Sequence, residues 1–387
     1  MKFGLLARHT RQSYICISAA LFLFNQAAMA EIEEIKIGFS APLTGAQSHY
    51  GKDMQNGIVL AFEQVNQSKP RIAGREVKFI LLSEDDQADP KTATTVAQRL
   101  VDSKIKGMLG HFNSGTTIPA SGVYHQAGIP QIAMATAPEY TEQGYKTTFR
   151  MMTSDTQQGT VMGSYAVNKL GLKNIAIVDD RTAYGQGLAD QFEKAVRAAK
   201  GNIVRREYTN DKAVNFKAII TNLKKSKPQA IFYGGAEGQS GPLLKQIREL
   251  GIKAVFISGE MSKTDRFIQL AGAQAAEGAI VSLAGLPLKD MPGGMEYQKD
   301  YQKRFGAAVE LYSPYAYDGA MALLTAIRKA DSSDPQKYLP VLANIDMLGV
   351  TTKHIRYSNN GDLKSATVTV YKVENGRWKT LESIAGR

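Results

Sequence analysis

Cysteine is almost missing from this 387-residue chain; the one example, Cys16, lies in an apolar run near the start. With no second thiol the chain has no internal disulfide framework and no Cys-ligated zinc site. Histidine is also scarce. Beyond the first thirty residues stand His49, His111, His125 and His354, no two of them at ligand spacing on one helix, which speaks against a metal centre. No apolar run is long enough to span a bilayer comfortably, the clearest being Tyr14 to Phe24. Long basic blocks are absent as well. The net charge of +11 comes from Lys and Arg scattered among acids, with no basic stretch interleaved with aromatics, so the charge does not mark a nucleic-acid surface.

The signatures of nucleotide and hydrolytic chemistry are also incomplete. Five residues separate Gly45 from Gly51-Lys52 instead of four, with Asp53 in place of the metal-binding hydroxyl of a phosphate loop. Gly185-Gln186-Gly187 lacks the third glycine of a dinucleotide fingerprint, and Asp190 occupies its place; a tight helix entry is the simpler reading. No serine sits in a Gly-x-Ser-x-Gly elbow, and nothing positive supports a Ser114, His111 and Asp85 arrangement. The expectation is a protein that is not an enzyme and carries no cofactor.

What is present begins with a leader. Lys2, Arg8 and Arg11 precede the apolar run, and Ala28-Met29-Ala30 offers small residues at the cleavage positions, so residues 1–30 read as a secretory signal. Cys16 lies inside that run, not at its end, which excludes it as a lipid attachment site. Removing the leader's three positive charges takes the net charge from +11 to +8 and leaves no thiol. A periplasmic destination is expected for a large core that needs no disulfides.

From Ile35 onward short apolar runs alternate with amphipathic segments. Ile35 to Phe39, Val77 to Leu82, Gly107 to Gly110 and a run after Pro130 read as strands; Met54, Ile58, Ala61, Phe62 and Val65 have helical spacing, as do Pro90 to Asp102 and Thr116 to Gln126. This is βαβ repetition, which builds a parallel sheet with helices on both faces. The pattern restarts after Phe149-Arg150-Met151, with strands at Ile175 to Val178, Ile203 to Tyr208, Ala230 to Tyr233 and Ala254 to Ser258. Two similar halves imply two lobes. The helical segments Tyr297 to Phe305, Pro314 to Lys329 and Pro335 to Ala343 then read as a return to the first lobe, and Asn375-Gly376 as the turn of a closing hairpin.

In an open parallel sheet ligands sit at the strand carboxyl ends, where helix amino ends present free N–H groups to an anion. Ser114 and Thr136 follow successive strands there and form a seat for one carboxylate, although each also fits a helix cap. Glu260 ends a strand of the second half, where it either meets a cation or starts the helix Lys263 to Leu270. Tyr50 and Tyr184 stand in glycine-flanked turns of different lobes, suited to lids or to ordinary turn packing.

At these residues the chain resembles the periplasmic leucine/isoleucine/valine-binding proteins of type I solute-binding fold, the receptor components of branched-chain amino acid ABC transporters. The resemblance is carried by Gly45 with Tyr50-Gly51, Asp85-Asp86, Gly110-His111, Ser114, Pro119-Ala120-Ser121, Ala135-Thr136-Ala137-Pro138-Glu139, Tyr184-Gly185-x-Gly187, Tyr233-Gly234-Gly235 and Glu260. It implies an α/β fold of two doubly wound lobes joined by three crossovers, near residues 154, 284 and 355. Residues 31–153 and 285–354 would form one lobe, and 154–284 and 355–387 the other. It further implies that Ser114 and Thr136 grip an amino acid carboxylate and that Glu260 accepts its ammonium, with Tyr50, Phe112, Asn113, Met134, Ala135, Tyr184 and Ala236 around the ligand. The implied partners are permease and ATPase subunits in the inner membrane, with the receptor itself a monomer. Departures bear on side-chain specificity: Ala88 and Asn113 replace a cysteine pair, Met134 replaces a small residue and Ala236 an aromatic. Aromatic amino acids, amides or urea as ligands, and a sensory role, remain the alternatives.

Overall fold

The computed structural model describes residues 32–364 and 366–385, so the expected leader and Cys16 lie outside it. The first sheet contains β1 (Glu33–Ala41), β2 (Arg71–Ile72), β3 (Arg75–Asp85), β4 (Met108–Gly110), β5 (Gln131–Ala133) and β6 (Thr148–Arg150), in the order β2-β3-β1-β4-β5-β6. All pairs are parallel except β2 with β3. Helices cover both faces of such a sheet, which is why its central strands are continuous apolar runs and not alternating ones. In β1 every residue from Ile37 to Ala41 is buried.

The second sheet contains β7 (Asn174–Asp179), β8 (Asn202–Tyr208), β9 (Ala230–Gly234), β10 (Val255–Ser258), β11 (Ile280–Leu283), β12 (Thr367–Glu374) and β13 (Arg377–Ala385), in the order β13-β12-β11-β10-β9-β7-β8. The strands β7 to β11 are parallel, and β12 and β13 close the edge antiparallel about Asn375-Gly376. The expected hairpin is present. Trp378 on it packs against Phe267 and donates to the Thr264 carbonyl at 3.0 Å, a structural role.

The late helices return to the first lobe because helix Ser48–Gln67 provides a seat for helix Ser313–Lys329. Gly57 permits the approach: a Cβ there would lie 2.3 Å from the Ser313 carbonyl oxygen. Asp53 then accepts the backbone N–H groups of Glu310, Leu311, Tyr312 and Ser313 at 2.8 to 3.2 Å, satisfying donors that a helix start leaves free.

Three passages join the lobes. The first lies between β6 and helix Asp155–Ser164 and the second between β11 and helix Gly294–Phe305. The third comes later than residue 355. Residues 355–363 stay on the first lobe, where Tyr357 bridges to Leu363, the Arg150 N–H donates to the Gly361 carbonyl at 2.9 Å and its buried guanidinium pairs with Asp362 at 2.8 Å. The chain therefore crosses between Leu363 and Thr367. Helix limits at Pro90–Asp102 and Pro335–Ala343 are those the sequence predicts; β2, β6 and β11 are additional strands.

Candidate functional site

Registers align the carboxyl ends of the central strands. Ser40 pairs with Gly110 in the first sheet, and Tyr233 with both Val178 and Ser258 in the second. The segments leaving these strands therefore start at one level in each sheet. Ser114 opens helix Ser114–Gln126 and is buried; its Oγ accepts the Ala137 N–H at 3.2 Å, linking the segments after β4 and β5. Thr136, also buried, accepts the Asp155 N–H at its carbonyl, 2.8 Å away.

From the opposite side Glu260 enters in a short turn after β10, 2% exposed, and accepts from the Tyr184 hydroxyl at 2.9 Å. Glu260 does not cap the next helix, which runs Asp265–Ala271 behind Thr264, whose Oγ1 accepts from the Phe267 N–H. Tyr184 and Tyr50 stand in first turns of helices, not in open turns. Gly185 makes the first of these entries possible: a Cβ there would lie 2.1 Å from Asp180 Oδ1 and 2.6 Å from the Gly234 carbonyl oxygen.

The sequence reading missed four neighbours. Asp155, fully buried, lies close enough to Glu260 that burial first and the Glu260 charge second push its carboxyl well above the usual carboxylate range. Burial likewise raises Glu260. Neither Asp155 oxygen has an aligned hydrogen-bond partner, although the Thr136 hydroxyl is near enough to oppose the shift. Gln158 is anchored through its Oε1 by the Ser282 hydroxyl at 3.0 Å, and its side chain lies near enough to Glu260 to oppose that rise. Tyr312 has a buried, unpartnered hydroxyl facing the same acids. Buried polar atoms are rarely left alone, and two adjacent carboxylates favour a cation.

The wall beside this group is aromatic. Phe112 packs edge-on to Tyr312 with ring centres 4.7 Å apart, and Tyr50 lies 5.4 Å from Phe112 and 5.2 Å from Tyr312. Tyr50 spans the cleft, its hydroxyl 2.5 Å from Glu237 Oε2 and 3.1 Å from the Met261 carbonyl oxygen. Glu237, the fourth missed neighbour, starts helix Glu237–Glu249 and reads locally as a helix-start acid.

Ser114, His111 and Asp85 do not come together as a hydrolytic set. His111, fully buried, pairs through Nδ1 with Asp86 at 2.6 Å and through Nε2 with the Tyr124 hydroxyl at 3.1 Å, while Asp85 accepts from the 43–44 turn. Among the described residues no group of three or more His, Cys, Asp or Glu side chains is placed to hold a metal ion, and no helix is long and apolar enough to cross a membrane.

The profile of the periplasmic binding protein family matches residues 34–377. A relative from Brucella melitensis named Leu/Ile/Val-binding protein homolog 1 is 34% identical over 359 residues, 92% of this chain and 94% of its own. The chain belongs to the periplasmic binding protein family. A leucine-, isoleucine-, valine-, threonine- and alanine-binding protein of Pseudomonas aeruginosa is 30% identical over 363 residues, 94% of this chain and 95% of its own. Among solved structures, a leucine-binding protein from Thermotoga maritima superposes with a TM-score of 0.82 at 26% identity, covering 90% of this chain and 98% of the other.

This periplasmic binding protein departs from the expected site in how some wall residues are used. Asn113 spends its amide nitrogen on Gln47 Oε1 at 2.7 Å, and its Oδ1 is left unpartnered. The Ala135 methyl packs with Ala133 and Tyr140, and its carbonyl accepts from the Arg150 guanidinium. Met134 is 1% exposed, and Ala236 caps helix Glu237–Glu249 from a buried position.

Proposed function

We propose that this chain captures an α-amino acid with a small aliphatic side chain, closes its two lobes around it, and presents the closed form to the permease and ATPase subunits of an ABC transporter. It does so in the periplasm, as a monomer and without catalysing a reaction. One observation carries this reading: the unpartnered Asp155 carboxylate beside Glu260, buried in the same cleft as the Ser114 and Thr136 hydroxyls. The hydroxyls and the N–H groups near them suit the carboxylate of a zwitterion; Glu260 and Asp155 suit its ammonium. Charge-assisted hydrogen bonds in such a buried cleft are the strong kind.

The Phe112, Tyr50 and Tyr312 rings offer an apolar wall for the side chain, and the relatives named for leucine, isoleucine and valine support an aliphatic one. Met134 narrows that wall and Ala236 widens it. Threonine and alanine, in the name of the Pseudomonas relative, are therefore to be tested alongside leucine.

Calorimetry with L-leucine and with 4-methylpentanoate, which lacks the α-amino group, tests the assignment. Glu260→Ala is expected to weaken leucine by at least about 30-fold, since leaving one partner of a buried charge pair alone costs about 2 to 5 kcal/mol. It should leave the weak binding of the des-amino acid unchanged. Equal losses for both compounds would remove Glu260 from the ammonium site. Absence of thermal stabilisation by any amino acid would overturn the function, because a ligand that binds only the native state must raise the melting temperature.

A further inference from the structure

Lysines scattered through the sequence of the second lobe are gathered by its topology onto one face. Strands β7, β8, β9 and β10 run parallel, so their amino ends share the side remote from the cleft. The residues entering them are laced together. The Lys173 carbonyl accepts the Asn202 N–H at 2.7 Å, the Asn174 carbonyl the Gln229 N–H at 2.7 Å, and the Gln229 carbonyl the Val255 N–H at 2.9 Å. Gln229 Oε1 also accepts the Lys173 and Asn174 N–H groups at 2.7 and 2.9 Å. Lys200, Lys173, Lys227 and Lys253 therefore stand in the strand order β8-β7-β9-β10, one shortly before each strand and all exposed. With strands about 4.8 Å apart the row is roughly 15 Å long. Lys224 and Lys225 lie beside it in the last turn of helix Lys217–Ser226, and Lys224, Lys227 and Lys253 line a shallow depression of about 440 Å³.

Among the described residues none of these six lysines is ion-paired with an acid. The acids on this side are engaged or few: Glu277 accepts the Asn375 and Gly376 N–H groups, Glu374 takes Lys372 and Lys379, and Glu249 ends helix Glu237–Glu249. Cations at helix ends have an ordinary role, and Lys224 Nζ fills it by donating to the Leu250 carbonyl at 2.9 Å. That effect fades beyond the last turn, so it does not account for Lys173 and Lys253, which lie past the caps Leu170 and Leu250. Lys200 and Lys227 take the left-handed backbone, with φ of 64° and 46°, where glycine or asparagine is usual; charge stands there against local preference. The opposite ends of the same strands lead to Asp179, Asp180 and Glu260. The lobe is thus polarised, acids toward the cleft and lysines on the far face.

We propose that this lysine face rests on an anionic membrane surface, taking phosphate-bearing lipid headgroups, and so holds the receptor in the layer next to the bilayer with the cleft end of the second lobe pointing away. This goes beyond the amino-acid reading and takes from it the compartment alone. Three features favour a bilayer over other polyanions. Amino ends of parallel strands tied at one level make a level face. No large hydrophobic side chain is exposed among these residues, whereas a protein interface is built on an apolar core. The cations are lysines with no aromatic side chain between them, so nothing is present to stack on a base. Each lysine close to an anionic surface strengthens attachment about 5-fold, and the attraction decays over a Debye length of about 8 Å at physiological salt.

Sedimentation of the ligand-free protein with phospholipid vesicles is the test. Wild type should bind vesicles of phosphatidylcholine mixed with phosphatidylglycerol at about 0.05 M salt, leave them at about 0.5 M, and ignore phosphatidylcholine alone. Lys173→Gln, Lys200→Gln, Lys227→Gln and Lys253→Gln combined should weaken attachment by at least about 100-fold, with leucine affinity unchanged. A control removes the same charge from exposed lysines of the first lobe, by Lys91→Gln, Lys299→Gln, Lys303→Gln and Lys337→Gln combined, and should bind the vesicles as wild type does. Equal losses in the two variants would place the effect in net charge and overturn the proposal. Undiminished binding by the second-lobe variant, equal binding to neutral vesicles, or no binding to the anionic ones at low salt would overturn it too. Retention by soluble poly-glutamate without binding to vesicles would exclude the membrane as the occupant. Failure of leucine to bind would count against the amino-acid reading and leave the vesicle result standing, because no ligand is present in that measurement.

Discussion

Two carboxylates buried side by side, Asp155 and Glu260, cannot both remain charged without a cation near them. Each is held above the usual carboxylate range, by burial first and, for Asp155, by the Glu260 charge next. For a raised acid the stabilising contribution is fully present below the ordinary carboxylate range and is lost as pH rises through the raised value. The ligand-free protein should therefore gain stability from this pair in acid, and an ammonium arriving between them should expel a proton. Asp155→Asn separates these effects. We expect it to raise the melting temperature of the ligand-free protein near neutral pH, to weaken L-leucine by roughly 10-fold or more through loss of a charged partner, and to flatten the acid-side fall in affinity. Thermal scans and calorimetry across pH read all of these; an unchanged affinity would exclude Asp155 from the ammonium site. Glu260 was legible because it ends an apolar strand. Asp155 was not, because it follows Ser154 in a capping box with Gln157, where an acid is the ordinary choice for a first helical turn. The partner that gives it a role, Glu260, is distant in sequence.

Helix starts do most of the positioning at the element scale. The amino ends of helices Ser48–Gln67, Ser114–Gln126, Ala183–Ala198 and Glu237–Glu249 carry Tyr50, Ser114, Tyr184 and Glu237 respectively. Their existence was legible from apolar spacing and from Gly51 and Gly185. The close approaches that demand glycine were not: a Cβ on Gly51 would meet the Pro42 carbonyl oxygen at 2.0 Å. Strands β6 and β11, of three and four residues, carry too little pattern to be read. Asp53 illustrates how one element fixes another. From helix Ser48–Gln67 it accepts four successive N–H groups of residues 310–313 and the Tyr301 hydroxyl at 3.0 Å, and so fixes where Tyr312 enters the cleft. Asp53→Ala should destabilise the fold by about 3 kcal/mol in urea titration, the scale of losing a buried charged hydrogen-bond partner. It should also weaken leucine at temperatures where the protein is still folded. A loss below about 1 kcal/mol would mean that the 310–313 segment is held by packing and not by this carboxylate.

For the molecule as a whole, the lobes and their βαβ repetition were legible, and the third crossing was not. Its place depends on Arg150, buried on the first lobe, holding Asp362 and Thr141 at 2.8 and 2.9 Å; a pairing across two hundred residues leaves no local pattern. Each lobe also buries an aspartate held above the usual carboxylate range. Asp318 in the first and Asp180 in the second are both pushed up to about 6, in each case by burial against the help of hydrogen bonds. Asp318 holds the Val350 and Thr351 N–H groups at 2.7 and 2.8 Å, in the segment leading to the third crossing. Moving a carboxyl from 3.8 to about 6 is worth roughly 3 kcal/mol between its protonation states. That contribution is present below about pH 4 and disappears as pH rises through about 6. The acids held low, such as the exposed Asp346 and the half-exposed Glu374, act in the opposite sense but lie at the surface, where solvent and salt screen them. Buried acids should therefore dominate, and the ligand-free protein should melt higher at about pH 5 than at about pH 8. One apolar cluster continues from Ile37 and Leu109 of the first sheet to Ile177 and Ile280 of the second, so the lobes should melt in a single transition. Asp318→Asn, though confined to one lobe, should then reduce the pH dependence of that whole transition. Calorimetric scanning decides: a second transition whose midpoint alone responds to Asp318→Asn would show that the three passages join lobes that unfold independently.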